Sequence, residues 1–306
     1  MPAAQSSPTC PWSGVLPAVT TQFDAELRVD LAATRAVQSA LIEDGVHGLI
    51  TLGTVGENNS LTAEEKRSVL RTAIEASGGR VPIVAGVSEL TTAAAAAFAR
   101  DAEALGATGL MLLPAMVYVP TPRELEYHFR SVAQATRLPI MLYNNPPAYR
   151  VSIEIETLRR LSEVPNIVAV KESAPDPRRF TDVCNALGER FVLFAGLDDV
   201  VFEGVLLGAR GWVSGLTNAF PRQSLALWEA LRTGDLARAR AIYRWFMPLL
   251  HLDAGHDLVQ SIKLAEQIMG RGSERVRPPR LPLDGARREE VTRMVERAAA
   301  TRDTLT

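Results

Sequence analysis

The chain has 306 residues, 47% of them hydrophobic and 22% charged, with a formal net charge of −2. That balance gives no electrostatic case for nucleic acid or an anionic membrane as partner, and the length fits two average domains or one alpha/beta barrel of about 250 residues with additions. No run of about 18 uncharged apolar residues is present, and Cys10 and Cys184 make no metal or redox spacing, so a cytoplasmic, reducing location is expected.

Residues 1–12 are rich in Pro, Ser and Ala, lack the basic-then-apolar order of a signal peptide, and read as a loose N-terminal tail. From there to about residue 233, short apolar runs alternate with amphipathic stretches. The expected strands are 14–20, 48–53, 81–87, 109–114, 139–144, 167–172, 191–196 and 211–215. They are continuous rather than alternating apolar runs, as parallel strands covered on both sides require. Asp30 is placed to cap the first helix. Thr62 with Glu65 makes a capping box before the second, Ala93 to Ala97 gives the third high helix propensity, and Thr121-Pro122-Arg123-Glu124 adds a proline at a first helical position. Asp176-Pro177 is a further helix start, and Gly78-Gly79, Gly106 and Gly188 stand where helices stop.

Eight strand–helix units predict a (β/α)8 TIM barrel over residues 13–233. The rival, a doubly wound open sheet, normally has fewer strands, and its G-x-G-x-x-G turn is absent after the first strand. Residues 234–306 predict a C-terminal helical extension, with helices near 235–250, 256–269 and 285–301 and a basic, Pro-rich connector from Arg271 to Pro282. That connector reads as exposed, with anion binding as the alternative.

In such barrels the chemistry sits at the C-terminal ends of the strands. Lys171 closes the apolar run Ile167-Val168-Ala169-Val170 and is followed by Glu172 and Ser173. Burial there penalises the ammonium and lowers its pKa, and a lysine that loses its proton near neutrality attacks carbonyl carbon. The bland alternative is a surface lysine that snorkels. Strand 2 ends in Gly53-Thr54-Val55-Gly56-Glu57-Asn58, where glycines let backbone N–H groups face a small anion such as a carboxylate; a plain turn is the other reading. Tyr143, in Tyr143-Asn144-Asn145-Pro146-Pro147 at the end of strand 5, supplies a hydroxyl for proton transfer, or is simply a strand-end tyrosine.

G-T-x-G-E after strand 2, Y-N-x-P after strand 5 and K-E-S after strand 6 resemble the dihydrodipicolinate synthase / N-acetylneuraminate lyase superfamily of class I aldolase-like enzymes, over residues 12–300 or so. The resemblance implies an imine between Lys171 and a 2-oxo acid, with Tyr143 as proton donor and acceptor. Thr54 would be hydrogen-bonded to Tyr143, and the substrate carboxylate would be held by backbone groups of Thr54 and Val55 beside Gly53. The backbone carbonyl of Val213 on strand 8 would face the site. No cofactor and no metal are implied, and a homodimer or homotetramer is expected.

Three positions depart from the lysine-pathway synthase. Val55 replaces the second threonine of its G-T-T-G-E. Met116 stands where its loop after strand 4 offers a second tyrosine to a neighbouring subunit, with Tyr118 two residues on. Ala148 takes the place of the arginine that grips the aldehyde's carboxylate, with Arg150 close behind. Pro114 to Tyr118, Tyr143 to Tyr149, Ser261 to Ala265 and Val276 to Pro282 instead look like a hydroxyproline-pathway branch, 1-pyrroline-4-hydroxy-2-carboxylate deaminase. That resemblance implies deamination and dehydration of a cyclic imine to 2,5-dioxopentanoate. The alternatives are a 2-oxo-acid aldolase or hydratase-aldolase, or 4-hydroxy-tetrahydrodipicolinate synthase, and, outside catalysis, a 2-oxo-acid sensor with vestigial residues.

The remaining polar residues are expected to be structural. His47, His128, His251 and His256 make no metal spacing, and His251 to Asp257 reads as a helix boundary around Gly255. Glu57 is expected to support its loop, Asp198-Asp199 to cap the helix after strand 7, and Lys263 to be a supporting or solvated lysine.

Overall fold

The computed structural model describes residues 10–115 and 118–302. Eight parallel strands form one sheet: β1 (Gly14–Pro17), β2 (Leu49–Thr51), β3 (Ile83–Val87), β4 (Gly109–Leu112), β5 (Ile140–Asn144), β6 (Ile167–Glu172), β7 (Val192–Ala195) and β8 (Gly211–Ser214). Their order is β1-β8-β7-β6-β5-β4-β3-β2. The ring closes between its two ends through a bridge from Ala18 to Ile50, with the Val19 N–H donating to the Ile50 carbonyl at 2.8 Å. The fold is the predicted (β/α)8 barrel, and each strand lies inside its predicted range.

The helices follow the capping signals. Asp30 accepts from the Ala33 N–H ahead of α1 (Leu31–Glu43), and complete capping boxes open α2 (Ala63–Ser77) and α4 (Pro122–Gln134). Thr91 caps α3 (Thr92–Leu105). A short turn, α5 (Pro146–Tyr149), precedes α6 (Ile155–Leu161). The ring is completed by α7 (Arg178–Leu187), α8 (Val201–Leu206) and α9 (Pro221–Arg232), followed by α10 (Leu236–Leu250), α11 (Leu258–Ile268) and α12 (Gly285–Thr301). Asp176 accepts from the Arg178 N–H at the start of α7. No helix among the described residues is long and apolar enough to cross a membrane.

Strand side chains divide between two cores. Val15, Leu49, Ala85, Leu110, Leu142 and Val170 face outward into the layer between sheet and helices. Leu16, Ile50, Val84, Met111, Met141, Ala169, Phe194 and Val213 fill the barrel interior, as the inward layers of such a barrel do. Trp12 belongs to that interior. Read from sequence as part of a loose tail, it is only 3% exposed, and its indole occupies the space that a side chain on Gly109 would need.

The connector from Arg271 to Pro282 is also not a free surface segment. The Arg277 guanidinium donates to the Leu27 and Ser60 carbonyls and pairs with Glu65 at 2.9 Å, while Arg271 donates to the Asn218 carbonyl and pairs with Asp44 at 2.7 Å. These arginines strap the C-terminal segment to the barrel.

Candidate active site

The register of β5 and β6 sets the site. Tyr143 pairs with Lys171 and Asn144 with Glu172, after a shift in which β6 spends one extra residue between Ile167 and Ala169. That bulge changes which face the following residues present. Ala169 and Lys171 point into the barrel while Val170 packs outside. The next residue on each strand faces away, and these two lock together: Asn144 donates to both oxygens of Glu172, at 2.8 and 3.0 Å, and accepts from the Ile153 N–H. Glu172 also accepts from the Ala174 N–H and pairs with Arg179. In Y-N and K-E, then, one residue faces the cavity and its neighbour fixes the strand end.

Lys171 is 5% exposed, and its Nζ lies 3.8 Å from the centroid of the Tyr143 ring. Among the described residues it makes no hydrogen bond or ion pair. Burial lowers its pKa, opposed by the charge of Asp253 and more weakly by Tyr149 and Asp198. Its path is open because residue 196 is glycine: a Cβ there would lie 2.1 Å from Ser173 Oγ and 2.8 Å from Lys171 Cγ. The Tyr143 hydroxyl accepts from Asn145 Nδ2 at 2.9 Å, and burial pushes the phenol up to about 12.

Thr54 and Val55 line the same cavity, and neither backbone N–H is used in a hydrogen bond among the described residues. The Thr54 hydroxyl, expected on Tyr143, is instead hydrogen-bonded to the Tyr149 hydroxyl. Tyr149 stands edge-on to Tyr143 with ring centroids 5.4 Å apart, and occupies the reach of Thr54. The sequence carries a local signal for this. Asn145 followed by two prolines is a cap and helix start, and the single turn α5 swings Tyr149 back over the cavity, with Asn145 Oδ1 accepting from the Ala148 N–H. Arg150 is exposed and Tyr118 is 57% exposed; neither lines the cavity. Met116 lies outside the described residues. The Gly53 carbonyl accepts from the Asn58 N–H behind the loop, and the Val213 side chain packs in the barrel interior.

The second residue missed in the sequence is Asp253, from a short turn after α10. It reaches the cavity across the end of β8, where a Cβ on Gly215 would lie 2.2 Å from its Oδ1. Its carboxyl lines both the inner cavity and the space outside it, and desolvation by burial raises it to about 6 against the pull of Lys171. No local pattern announces it. Asp198 does not cap a helix as expected. It is buried and accepts from Trp212 Nε1, Ser214 Oγ and the Leu216 N–H, tying the end of β7 to β8, while Asp199 pairs with His251 at 2.9 Å.

Glu57 and Lys263 support the site from behind. Both are fully buried, 3.0 Å apart, with Lys263 also donating to the Thr21 carbonyl and Glu57 accepting from the Arg277 N–H. Glu57 sits at φ 54, immediately after the Thr54 loop. Among the described residues no group of three or more His, Cys, Asp or Glu side chains is placed to hold a metal ion.

The inner cavity, ≈ 30 Å³, holds Lys171, Tyr143, Thr54, Val55 and Asp253. It opens into a vestibule of ≈ 580 Å³ that adds Asn59, His256 and Arg280.

A 4-hydroxy-tetrahydrodipicolinate synthase from Moorella thermoacetica is 34% identical to this chain over 293 residues, 96% of this chain and 98% of that one. The crystal structure of dihydrodipicolinate synthase from Aquifex aeolicus superposes with a TM-score of 0.90 at 30% identity, covering 94% of this chain and 98% of that one. The dihydrodipicolinate synthase of Acinetobacter baumannii, crystallised with pyruvate, gives 0.90 at 28% identity, covering 94% and 99%. The Dihydrodipicolinate synthetase family profile matches residues 11–298, nearly the whole barrel with its C-terminal helices, and the chain belongs to that family of lyases.

Proposed function

We propose that this chain is a Schiff-base enzyme acting on a 2-oxo acid or its cyclic imine, with Lys171 as nucleophile. The observation that carries this is the Lys171 ammonium: buried, without a hydrogen-bond partner among the described residues, and against the Tyr143 phenol. Neutral Lys171 adds its Nζ to C2, and Tyr143 delivers a proton to the oxygen, or to the ring nitrogen of a cyclic imine, as that group leaves. The Thr54 and Val55 N–H groups hold the carboxylate, and Tyr149 and Thr54 extend the proton path from Tyr143. Tyr143→Phe should then lower kcat by about 10²-fold or more, while Tyr149→Phe, one step removed, should cost less. A Tyr143→Phe effect confined to KM would make the hydroxyl a binding contact only.

The substrate we favour is 1-pyrroline-4-hydroxy-2-carboxylate. Transimination at C2 would open its ring, the iminium would ease loss of the C3 proton, and the 4-hydroxyl would leave as water. Hydrolysis would give ammonia and 2,5-dioxopentanoate. Ala148 and the exposed Arg150 support this choice, because no arginine from that loop lines the cavity to grip an aldehyde's carboxylate. Such a charge-assisted grip is worth about 1.5–3 kcal/mol. The second reading, condensation of pyruvate with aspartate semialdehyde, is the one the names of the relatives favour, and Arg280 in the vestibule offers that aldehyde's carboxylate a partner.

A panel decides between them: ammonia release from the pyrroline, pyruvate release from 4-hydroxy-2-oxo acids and sialic acid, and condensation of pyruvate with aspartate semialdehyde. We expect ammonia from the first and little from the rest. Efficient condensation would make the chain a 4-hydroxy-tetrahydrodipicolinate synthase, and pyruvate release from a hydroxy-oxo acid would make it an aldolase. The assembly we infer is a homo-oligomer, for which exposed Tyr118, Val119 and Tyr127 on and before α4 supply apolar surface.

A further inference from the structure

The inner cavity and the vestibule share a ring of residues: Thr54, Asn145, Ala148, Tyr149, Leu197, Asp253 and Leu258. A substrate bound to Lys171 through C2, with its carboxylate on the Thr54 loop, must send C3 and C4 through that ring. Asp253 is the one carboxylate in it. Its companion Asp198 is spent on three hydrogen bonds, whereas among the described residues Asp253 has no side-chain hydrogen-bond partner and only the Asp198 backbone N–H beside its carboxyl. Glycine at 215 is the local condition for its position, since a Cβ there would displace the carboxylate and Ile262 as well.

We propose that Asp253 is a further catalytic residue, moving a proton between C3 of the imine-bound substrate and the oxygen on C4. This rests on the Schiff-base reading above. The Asp253 carboxylate takes the C3 proton, and the C–H pair becomes the enamine double bond as the iminium collapses to a neutral amine. The same proton is then delivered to the C4 hydroxyl. The C4–O bond breaks, water leaves, the enamine pair forms the C3–C4 double bond, and iminium and carboxylate are both restored. No net proton and no oxidant is needed. Tyr143, beside Lys171 Nζ and pushed up to about 12, is suited to the carbinolamine at C2 rather than to carbon acid chemistry further out.

Burial first and the Asp199 charge hold the Asp253 carboxyl up, while Lys171 on β6 and the Asp198 backbone N–H pull it down. Tyr143 on β5, the Asp198 carboxyl, and His256 and Arg280 across the vestibule are the other titratable groups around the cavity. With the carboxyl at about 6, the basic form prevails above that pH, so the rate of C3 proton removal should fall as pH drops through it.

The test uses the full-length protein with pyruvate, which needs only imine formation and C3 proton removal. Borohydride trapping by mass spectrometry reads the imine, and NMR in D2O reads exchange at C3. For Asp253→Asn we expect trapping on Lys171 near the parent level, exchange slowed by about 10²-fold or more, and loss of the limb near pH 6. Gly215→Ala, which keeps the carboxylate but moves it, should slow exchange in the same direction. Exchange within twofold of the parent in Asp253→Asn, with the imine intact, overturns the proposal. Absence of any adduct in the parent protein would instead overturn the Schiff-base reading, and the proposal with it.

Discussion

Lys171→Met is expected to end turnover and borohydride trapping while leaving the fold at least as stable as the parent. The two outcomes have one cause. A buried ammonium costs several kcal/mol in lost hydration unless close partners offset it, and among the described residues Lys171 has no hydrogen bond to do so, only the Tyr143 ring face and the more distant Asp253. Methionine keeps most of the volume and removes the charge, so the barrel interior loses an unfavourable group. On the proposed mechanism the chemistry loses its nucleophile, since Lys171 is the one lysine at a strand end. Mass spectrometry of the pyruvate adduct and urea unfolding check the two halves. An adduct on Lys263, or turnover persisting in the variant, would remove Lys171 from its role. A loss of stability of about 3–5 kcal/mol, the cost of breaking a buried pair, would make it a structural lysine.

The barrel was legible because its signals are local and repeated. Continuous apolar runs mark β1 to β8, and the boxes at Thr62 and Thr121 fix helix starts to the residue. Lys171, Tyr143 and Thr54 were legible for a related reason: each stands at a strand end in a short motif, and parallel strands in register bring those ends to one rim. What stayed hidden depends on contacts between segments far apart in the chain. Asp253 enters the cavity only because Gly215, far upstream, leaves room. Asp198 looks like a cap beside Asp199, yet Trp212 and Ser214 claim its carboxylate. Tyr149 lies between: its turn was written in Asn145-Pro146-Pro147, but its partner, the Thr54 hydroxyl, is 95 residues away. Trp12 was misread because composition describes a segment, and the burial of one indole under Gly109 does not follow from its neighbours.

Lys263→Met, chemically the same change as Lys171→Met, should have the opposite effect on stability. Lys263 is as buried as Lys171, but its Nζ is 3.0 Å from Glu57 and 2.8 Å from the Thr21 carbonyl, and over the Phe23 ring. Glu266, raised to about 7 by its own burial, lies in the same cluster, bonded by Thr20 and Gln22. Removing the lysine leaves the Glu57 carboxyl fully buried, with the Arg277 N–H as its remaining side-chain hydrogen-bond donor among the described residues. Loss of one partner from a buried pair costs about 3–5 kcal/mol, whereas losing both costs far less. Urea unfolding should therefore show a drop of about 3–5 kcal/mol for Lys263→Met, largely recovered in the Lys263→Met, Glu57→Gln double variant. Glu57 also anchors the loop carrying the Thr54 and Val55 N–H groups, so the folded single variant should bind pyruvate more weakly and still form the Lys171 adduct at saturation. If the single variant matched the parent in urea, the pair would contribute no net stability. If it failed to form the adduct even at saturating pyruvate, Lys263 would have a part in the chemistry that its position behind the Thr54 loop does not suggest.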